Sequence, residues 1–183
     1  GPSLDFSISL LRHNIRTATT VNGEFTMLGI YDRVAVLPSH AGVTDTILVD
    51  GKTVPVVNAV NLVDPEGVNL EITVLTLGWN EKFRDIRKFI PETVEEGTEG
   101  TLIVQTSNYP HLICPIGTVK EYGYLNLSGT PTHRVLMYNF HTRIGQCGGV
   151  IATTGRVLGI HVGGNGAQGF AASLFRKYFA ITQ

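Results

Sequence analysis

Along most of this chain, apolar residues recur at every second position in short runs separated by polar, glycine-rich stretches. That period belongs to strands buried on one face. In the first half the runs are "TATTV" and "EFTMLGI" around Asn22-Gly23, then "VAVLPSHA", then "TILV" and "TVPVV" around Asp50-Gly51, and "NLEITVLTL" at residues 69 to 77. Asn-Gly and Asp-Gly adopt the left-handed backbone that a two-residue hairpin turn requires, so a hairpin is predicted at each. The second half adds "TLIVQT", "YGYLNL", "RVLMYNF", "GVIATTG" and "RVLGIHVGG", five further short strands.

Two segments carry a helical period instead. In "LDFSISLLRHNI" apolar side chains fall at 4, 8, 11 and 15, a helical period, and also at 4, 6, 8 and 10, a strand period; the preferred reading is an N-terminal helix with Ser3 as its cap. "SLFRKYFA" predicts a short C-terminal helix with Leu174 and Tyr178 on one face. Between the halves lies "NEKFRDIRKFIPETVEEGTEG", the charge-rich stretch, read as the connection between two β units. The expected organisation is an N-terminal helix over 1–14, a first β unit over 15–79, the charged connection over 80–99, and a second β unit with its C-terminal helix over 100–183.

Composition sharpens this picture only at a few points. With 183 residues, 43% hydrophobic and 16% charged, the chain can bury an ample core and is not a disordered segment. A net charge of -1 says nothing about nucleic acid by itself. Two cysteines without paired spacing, Cys114 and Cys147, argue against a disulfide framework or a zinc site and suit a reducing compartment. No apolar run approaches the ~20 residues of a membrane span, so none is expected. "GNGAQG", Gly164 to Gly169, matches a dinucleotide-binding pattern, but no βαβ unit surrounds it and neither Asp nor Glu follows it, so it is read as a turn.

The chemistry starts at "GQCGG", residues 145 to 149. A lone cysteine is usually a small apolar filler. Here Gly145, Gly148 and Gly149 allow a tight turn whose amides approach a ligand closely, which a core strand does not need. A cysteine nucleophile needs a base and a group to orient that base. Of six histidines, His13, His111, His133 and His141 read as surface residues, leaving His40, at the end of an apolar strand, and His161. His161 follows Cys147 too closely for a papain-like order, so His40 is the preferred base. Glu71, which interrupts the alternation of Leu70, Ile72 and Val74, is the leading acid. Asp32 and Asp64 are rivals, and Glu71 could instead face solvent. The order histidine, acid, nucleophile is that of chymotrypsin-type enzymes, and no G-x-S-x-G motif supports a serine hydrolase.

"PSHA", "NLE", "KFRDIR", "TPTHR", "YNF", "GQCGG" and "GIHVGGNG" occur in an order and spacing that resembles the enterovirus and rhinovirus branch of picornaviral 3C proteases, across essentially the whole chain. The resemblance implies an all-β, chymotrypsin-like fold of two six-stranded antiparallel β-barrels with short terminal helices. It implies a cysteine endopeptidase with Cys147 as nucleophile, His40 as base and Glu71 as acid, needing no metal or other cofactor. Backbone N–H groups of Gly145, Gln146 and Cys147 are then expected to form the oxyanion hole. His161 and Thr142 would hold the glutamine side chain preceding the cut in a pocket kept open by Gly163 and Gly164, and Leu125, Leu127 and Ser128 would line further subsites. His141 and Ile144 depart from the family pattern in the oxyanion turn.

The same resemblance implies a second surface. "KFRDIRK" sets Lys82, Arg84, Arg87 and Lys88 against Asp85 alone, a local basic patch able to bind phosphates. Carried over from the family, Lys82, Phe83, Arg84, Asp85, Ile86 and Arg87 are expected to bind viral RNA, with Arg12, His13 and Arg156 extending the patch. The expected partners are a viral polyprotein and host proteins cut at Gln-Gly type junctions, viral RNA, and the polymerase as a covalent precursor. The expected setting is a monomer in the host cell cytoplasm, at replication complexes. Gly1 and Gln183 agree with self-release by such cuts. The rival reading is an RNA-binding replication module with an inactive peptidase site.

Overall fold

The computed structural model describes residues 1–95 and 97–180, so Glu96 and the terminal Gln183 lie outside the described residues. Helix α1, Pro2–His13, is capped by Gly1 with no side-chain cap bond, not by Ser3. Pro2 in the first turn explains the earlier start, since its missing N–H is one that a helix leaves unbonded anyway. Asn14 ends α1 and its side chain donates to the carbonyls of Gly29 and Arg84 at 2.9 and 2.8 Å.

Twelve strands follow: β1 Ile15–Thr20, β2 Gly23–Tyr31, β3 Val34–Pro38, β4 Thr46–Val49, β5 Lys52–Val63, β6 Asn69–Leu77, β7 Thr98–Val104, β8 Leu112–Leu127, β9 Thr130–Tyr138, β10 Val150–Thr153, β11 Arg156–Gly164 and β12 Gly169–Ser173. Pairing runs β6-β3-β2-β1-β4-β5 and closes β5 on β6, then β12-β11-β10-β7-β8-β9 and closes β12 on β9. The all-β expectation of two six-stranded antiparallel barrels is what the chain adopts. One parallel bridge, Asn69 to Thr132, joins them.

Asp50 (φ 50°) and Gly51 (φ 83°) make the two-residue turn between Val49 and Lys52 as predicted. The Asn22-Gly23 hairpin turns one residue earlier, on Val21 and Asn22, because Gly23 already pairs with Thr20. Asn22 is used elsewhere, donating to the His40 carbonyl at 3.0 Å. β8 runs 16 residues, longer than "YGYLNL" suggests, through a bulge at Gly123. β12 was hidden in the sequence between the glycine turn and "SLF". The expected C-terminal helix is a single 3₁₀ turn, Arg176–Phe179. Leu174, Phe175 and Phe179 are all buried, so the segment lacks the single apolar stripe of a surface helix.

Much of β2, β3, β6, β10, β11 and β12 is buried on both faces. Phe25, Met27, Leu37, Leu75 and Leu77 fill the first barrel, and Leu102, Val104, Val119, Leu136, Tyr138 and Leu158 the second. A third cluster, with Leu28, Ile30, Val36, Ile72, Ile103, Val150 and Ile160, seals one barrel against the other. The charged connection is strapped onto this core instead of standing free in solvent. Phe83 N–H donates to the Asp32 carbonyl at 2.7 Å and Ile86 N–H to that of Ile30 at 2.9 Å. The Phe83 ring lies where a Cβ on Gly29 would stand, 2.2 Å away, so only glycine fits there. Among the described residues no helix is long and apolar enough to cross a membrane.

Candidate active site

His40 sits in a 3₁₀ turn, Ser39–Ala41, at the end of β3, and Cys147 in the turn that leads into β10. Glu71 lies in β6, antiparallel to β3. Its carboxylate Oε2 accepts from His40 Nδ1 at 2.7 Å and from the His40 backbone N–H at 2.8 Å. Cys147 lines the same cleft as the His40 ring and is close enough to raise its pKa. The first barrel supplies two of the three groups and the second barrel one.

Glu71 is 5% exposed, so it does not face solvent. β6 is buried on both sides, and its odd positions lead from Glu71 and Thr73 to Leu75 and Leu77 of the barrel interior. Of the rival acids, Asp64 is engaged with His133, Nδ1 to Oδ2 at 2.7 Å, and Asp32 bridges Phe83. His133 is therefore a half-buried partner, not a free surface residue. Glu71 has φ 63°, a left-handed conformation that costs a side-chain-bearing residue ~1–2 kcal/mol. Local hydrogen bonds offset that strain. Asn69 Nδ2 donates to Glu71 Oε1 at 2.8 Å, and Asn69 Oδ1 accepts from the Glu71 N–H at 3.1 Å. Alternation put Asn69 and Glu71 on one strand face, the signal that could have nominated Asn69.

These contacts set the charges. Burial by itself raises the Glu71 pKa, but the bonds from His40 and Asn69 outweigh it and hold the carboxyl below the usual range. His40 is pushed up to about 10, first by its hydrogen bond with Cys147 and then by Glu71, against the opposing effect of burial. Cys114, in β8 opposite Leu102, is the contrast. Burial pushes its thiol up, and its packing against the second barrel's core makes it a filler.

Around Cys147 the turn is glycine-built for stated reasons. At Gly148 (φ 86°) a Cβ would come within 1.9 Å of the Thr26 carbonyl oxygen. Gly145 has φ 94°. Gly148 and Gly149 N–H donate to the carbonyls of His161 and Gln146 at 2.8 and 3.0 Å, and Gln146 N–H to that of Arg143 at 3.3 Å. Among the described residues the N–H groups of Gly145 and Cys147 have no acceptor, so these two, and not Gln146, are the free donors beside the thiol. Gln146 works through its side chain, whose Oε1 accepts the Arg143 N–H at 2.8 Å and braces the turn. Ile144 projects fully into solvent and His141 Nδ1 bonds the Gly166 carbonyl at 2.5 Å, so neither unusual residue crowds the turn.

A cleft of about 530 Å³ joins His40 and Cys147 to Thr142, His161, Gly163 and Gly164. Thr142 Oγ1 stands 2.6 Å from where a Cβ on Gly164 would sit, so the missing side chain keeps the space open. Leu127 packs above Gly163, its Cδ1 2.9 Å from the corresponding point. None of Leu125, Leu127 and Ser128, all of the β8–β9 ribbon, lines this cleft. His161 is 2% exposed, and its Nδ1 meets the hydroxyl of the buried Tyr138 at 2.5 Å. Burial, and secondarily the charge of His40, takes the His161 pKa down to about 4. The imidazole is neutral at pH 7. Burial also keeps Tyr138 a phenol, which can donate to Nδ1 and leave the proton on Nε2. Nothing in the sequence distinguished Tyr138 from its apolar strand neighbours.

On the basic segment, Lys82, Arg84 and Lys88 are exposed, as are Arg12 and His13, whereas Phe83 and Ile86 are 6% and 0% exposed. Those two are core residues and present no side chain to a ligand. Arg87 is bound to Asp85 at 2.7 Å and stacks on Tyr31, and Arg156 pairs with Glu95 at 3.1 Å.

A family model described as 3C cysteine protease (picornain 3C) matches residues 1–166. The genome polyproteins of poliovirus type 2 (strain Lansing) and coxsackievirus A24 (strain EH24/70) are 58% and 57% identical to the chain over 183 residues. The match takes in 100% of this chain and 8% of each polyprotein, so the chain spans a small part of those relatives' length. A solved HRV-C 3C protein with rupintrivir is 49% identical, with a TM-score of 0.94 over 96% of this chain and 99% of its own. A human pathogenic astrovirus serine protease, 16% identical with a TM-score of 0.62 over 92% and 93% of the two chains, shares the fold.

Proposed function

The chain belongs to the 3C cysteine protease (picornain 3C) family and is a cysteine peptidase, and from that premise we propose that Cys147, His40 and Glu71 cut peptide bonds that follow glutamine. The reading rests on one observation above the rest, the 2.7 Å bond that the His40 ring donates to Glu71 in a cleft shared with Cys147. In attack, Cys147 Sγ bonds to the scissile carbonyl carbon while His40 holds the thiol proton and the carbonyl electrons move onto oxygen. Free N–H groups on Gly145 and Cys147 suit that oxyanion, a contribution of ~100- to 1000-fold in rate per donor. As the carbon–nitrogen bond breaks, His40 passes its proton to the departing amine. Water, deprotonated by His40, then hydrolyses the thioester. Throughout, Glu71 keeps Nδ1 protonated and the ring aligned.

Glutamine selection rests on the neutral His161. Its Nε2–H and the Thr142 hydroxyl can donate to the side-chain amide oxygen, whereas a glutamate at that position would bring a charge against a neutral imidazole that supplies no countercharge. The natural substrates on this reading are viral polyprotein junctions of Gln-Gly type and host proteins in the cytoplasm. Cleavage of a Gln-Gly peptide by the chain and by Cys147→Ala, with a glutamate-for-glutamine peptide as control, tests it. Loss in the variant and on the control supports both nucleophile and specificity; equal cutting by the variant overturns the first, and by the parent on the control the second.

A second role, binding viral RNA, is favoured by the exposed cations Lys82, Arg84, Lys88 and Arg12, of which Arg84 lies against α1 and donates to Ser9 at 2.9 Å. With Phe83 and Ile86 buried, such binding is electrostatic and falls steeply with salt. The polymerase-linked precursor would carry the same surface.

A further inference from the structure

We infer that Thr132, a residue of the second barrel, is a positioning residue for the catalytic acid of the first. The inference rests on the triad reading above and extends it across the barrel junction. Asn69 uses one side-chain N–H on Glu71 Oε1 at 2.8 Å and the other on Thr132 Oγ1 at 3.0 Å. Thr132 is 0% exposed, and its own hydroxyl proton goes to the Thr130 carbonyl at 3.1 Å. Its oxygen therefore presents only lone pairs to Asn69. The amide is bracketed between a carboxylate and a buried acceptor that bulk water cannot replace. Without that acceptor the second N–H is stranded, and the amide gains by rotating away from Glu71 to reach another partner.

The same turn is pinned a second time by the next residue of β9. Asp64 Oδ1 accepts the N–H groups of Glu66 and Val68, each at 2.9 Å, closing the turn, while Asp64 Oδ2 holds His133 Nδ1 at 2.7 Å. Both ends of the segment 64–69 are thus tied to consecutive residues of the other barrel, and a backbone bridge joins Asn69 to Thr132. Glu71 follows directly, in its left-handed conformation. A strained residue holds its geometry only while its surroundings over-determine it, and here part of that support reaches Glu71 from β9 through Asn69. Alignment of the acid, and with it the charge state of His40, therefore depends on the docking of one barrel on the other.

The test is Thr132→Val, which keeps the branched shape and removes the acceptor, beside Thr132→Ser, which restores it. Cleavage of the Gln-Gly peptide is followed from pH 5 to 10 for both. Expected for Thr132→Val are a kcat about tenfold lower, KM within about twofold of the parent, and a shift to lower pH of the limb governed by His40. A histidine whose carboxylate is misaligned gives up its proton more readily. The other titratable and charged groups that line the cleft with His40, namely Cys147, His161, Glu24 and Arg143, are untouched. Thr132→Ser should return both rate and limb. A lower melting temperature with an unshifted limb would mean that Thr132 is structural only, and parent-like kinetics in Thr132→Val would equally overturn the inference. Glu71→Gln serves as the control: full activity there sinks the triad reading itself, whereas an impaired Glu71→Gln with a normal Thr132→Val sinks only the role of Thr132.

Discussion

Acidification from pH 7 to 5 is expected to weaken the fold through one buried side chain, His161. Its pKa lies near 4 in the folded chain and near ~6.5 in an unfolded one. Because the folded value is depressed, the unfolded chain binds a proton that the folded chain refuses, and stability is lost as pH falls from ~6.5 towards about 4. Each unit of that interval is worth ~1.4 kcal/mol, so the loss is ~2 kcal/mol at pH 5 and ~3 kcal/mol near pH 4. Against a typical total of ~5–15 kcal/mol this is measurable. His40 works in the opposite sense at the upper end of that range and does so in parent and variant alike. Its pKa is raised, so its contribution is complete below ~6.5 and fades as pH climbs towards about 10. Glu71, held below its ordinary pKa, contributes only losses at lower pH than pH 5. The assay is urea unfolding at pH 7, 6 and 5, followed through the single tryptophan, Trp79, for the parent and for His161→Gln. The variant's stability should fall by ~2 kcal/mol less across the range. Parallel losses in the two proteins would mean that His161 is already protonated when folded, and the neutral-donor account of the glutamine pocket would fall with it.

Three further outcomes follow from the geometry. Glu71→Gln should lower kcat by roughly 100-fold or more at an unchanged far-ultraviolet spectrum, read in single-turnover cleavage, since an amide neither stabilises the imidazolium nor enforces its tautomer. Gly148→Ala, at φ 86° with its Cβ aimed 1.9 Å from the Thr26 oxygen, should cost more than ~2 kcal/mol in denaturant unfolding, whereas Gly145→Ala, which meets only the Tyr109 ring at 3.5 Å, should show little beyond its left-handed strain of ~1–2 kcal/mol. Lys82→Ala should reduce the slope of log affinity against log salt for RNA by about 1, while Phe83→Ala should lose ~3–5 kcal/mol of stability with that slope intact.

How far these features could be read beforehand depended on whether a strand has a dry and a wet side. β4, with alternate residues exposed, announces itself, as does its Asp50-Gly51 turn. β6 does not, because Glu71 and Ile72 are both buried and an alternation of polar and apolar residues there marks two interiors, not an interior and a surface. That is why residue pattern alone left Glu71, Asp32 and Asp64 open, and why family resemblance was needed to choose. β12 was missed because Gly169 makes room for the Tyr138 ring, 2.3 Å from where a Cβ would stand, so the strand begins on a residue that reads as a turn. In the charged connection, charge hid burial: Phe83 and Ile86 are spaced to reach the core while their neighbours stay wet, and a basic run reads as uniformly exposed.

The two histidines of the cleft show why residue type alone could not assign their roles. His40 and His161 both border Cys147, and the chemistry requires opposite charge states from them. A carboxylate at 2.7 Å and a sulfur on the other side favour a cation on His40, whose side chain is also 41% exposed to water. Among the described residues His161 has no carboxylate partner. It has a phenol, full burial, and the repulsion of His40 itself, each of which favours the neutral ring. The imidazolium therefore helps to keep its neighbour neutral, and a charge that favours the nucleophile also suppresses charge in the pocket that selects an uncharged amide. Environments that drive two identical groups apart in pKa are how one cleft can hold a proton carrier and a neutral donor together. The coupling has a direct consequence: removing the imidazolium altogether in His40→Ala should let the His161 pKa rise from about 4, read by carbon-13 or nitrogen-15 titration of its ring. An unmoved His161 ring in that variant would refute it.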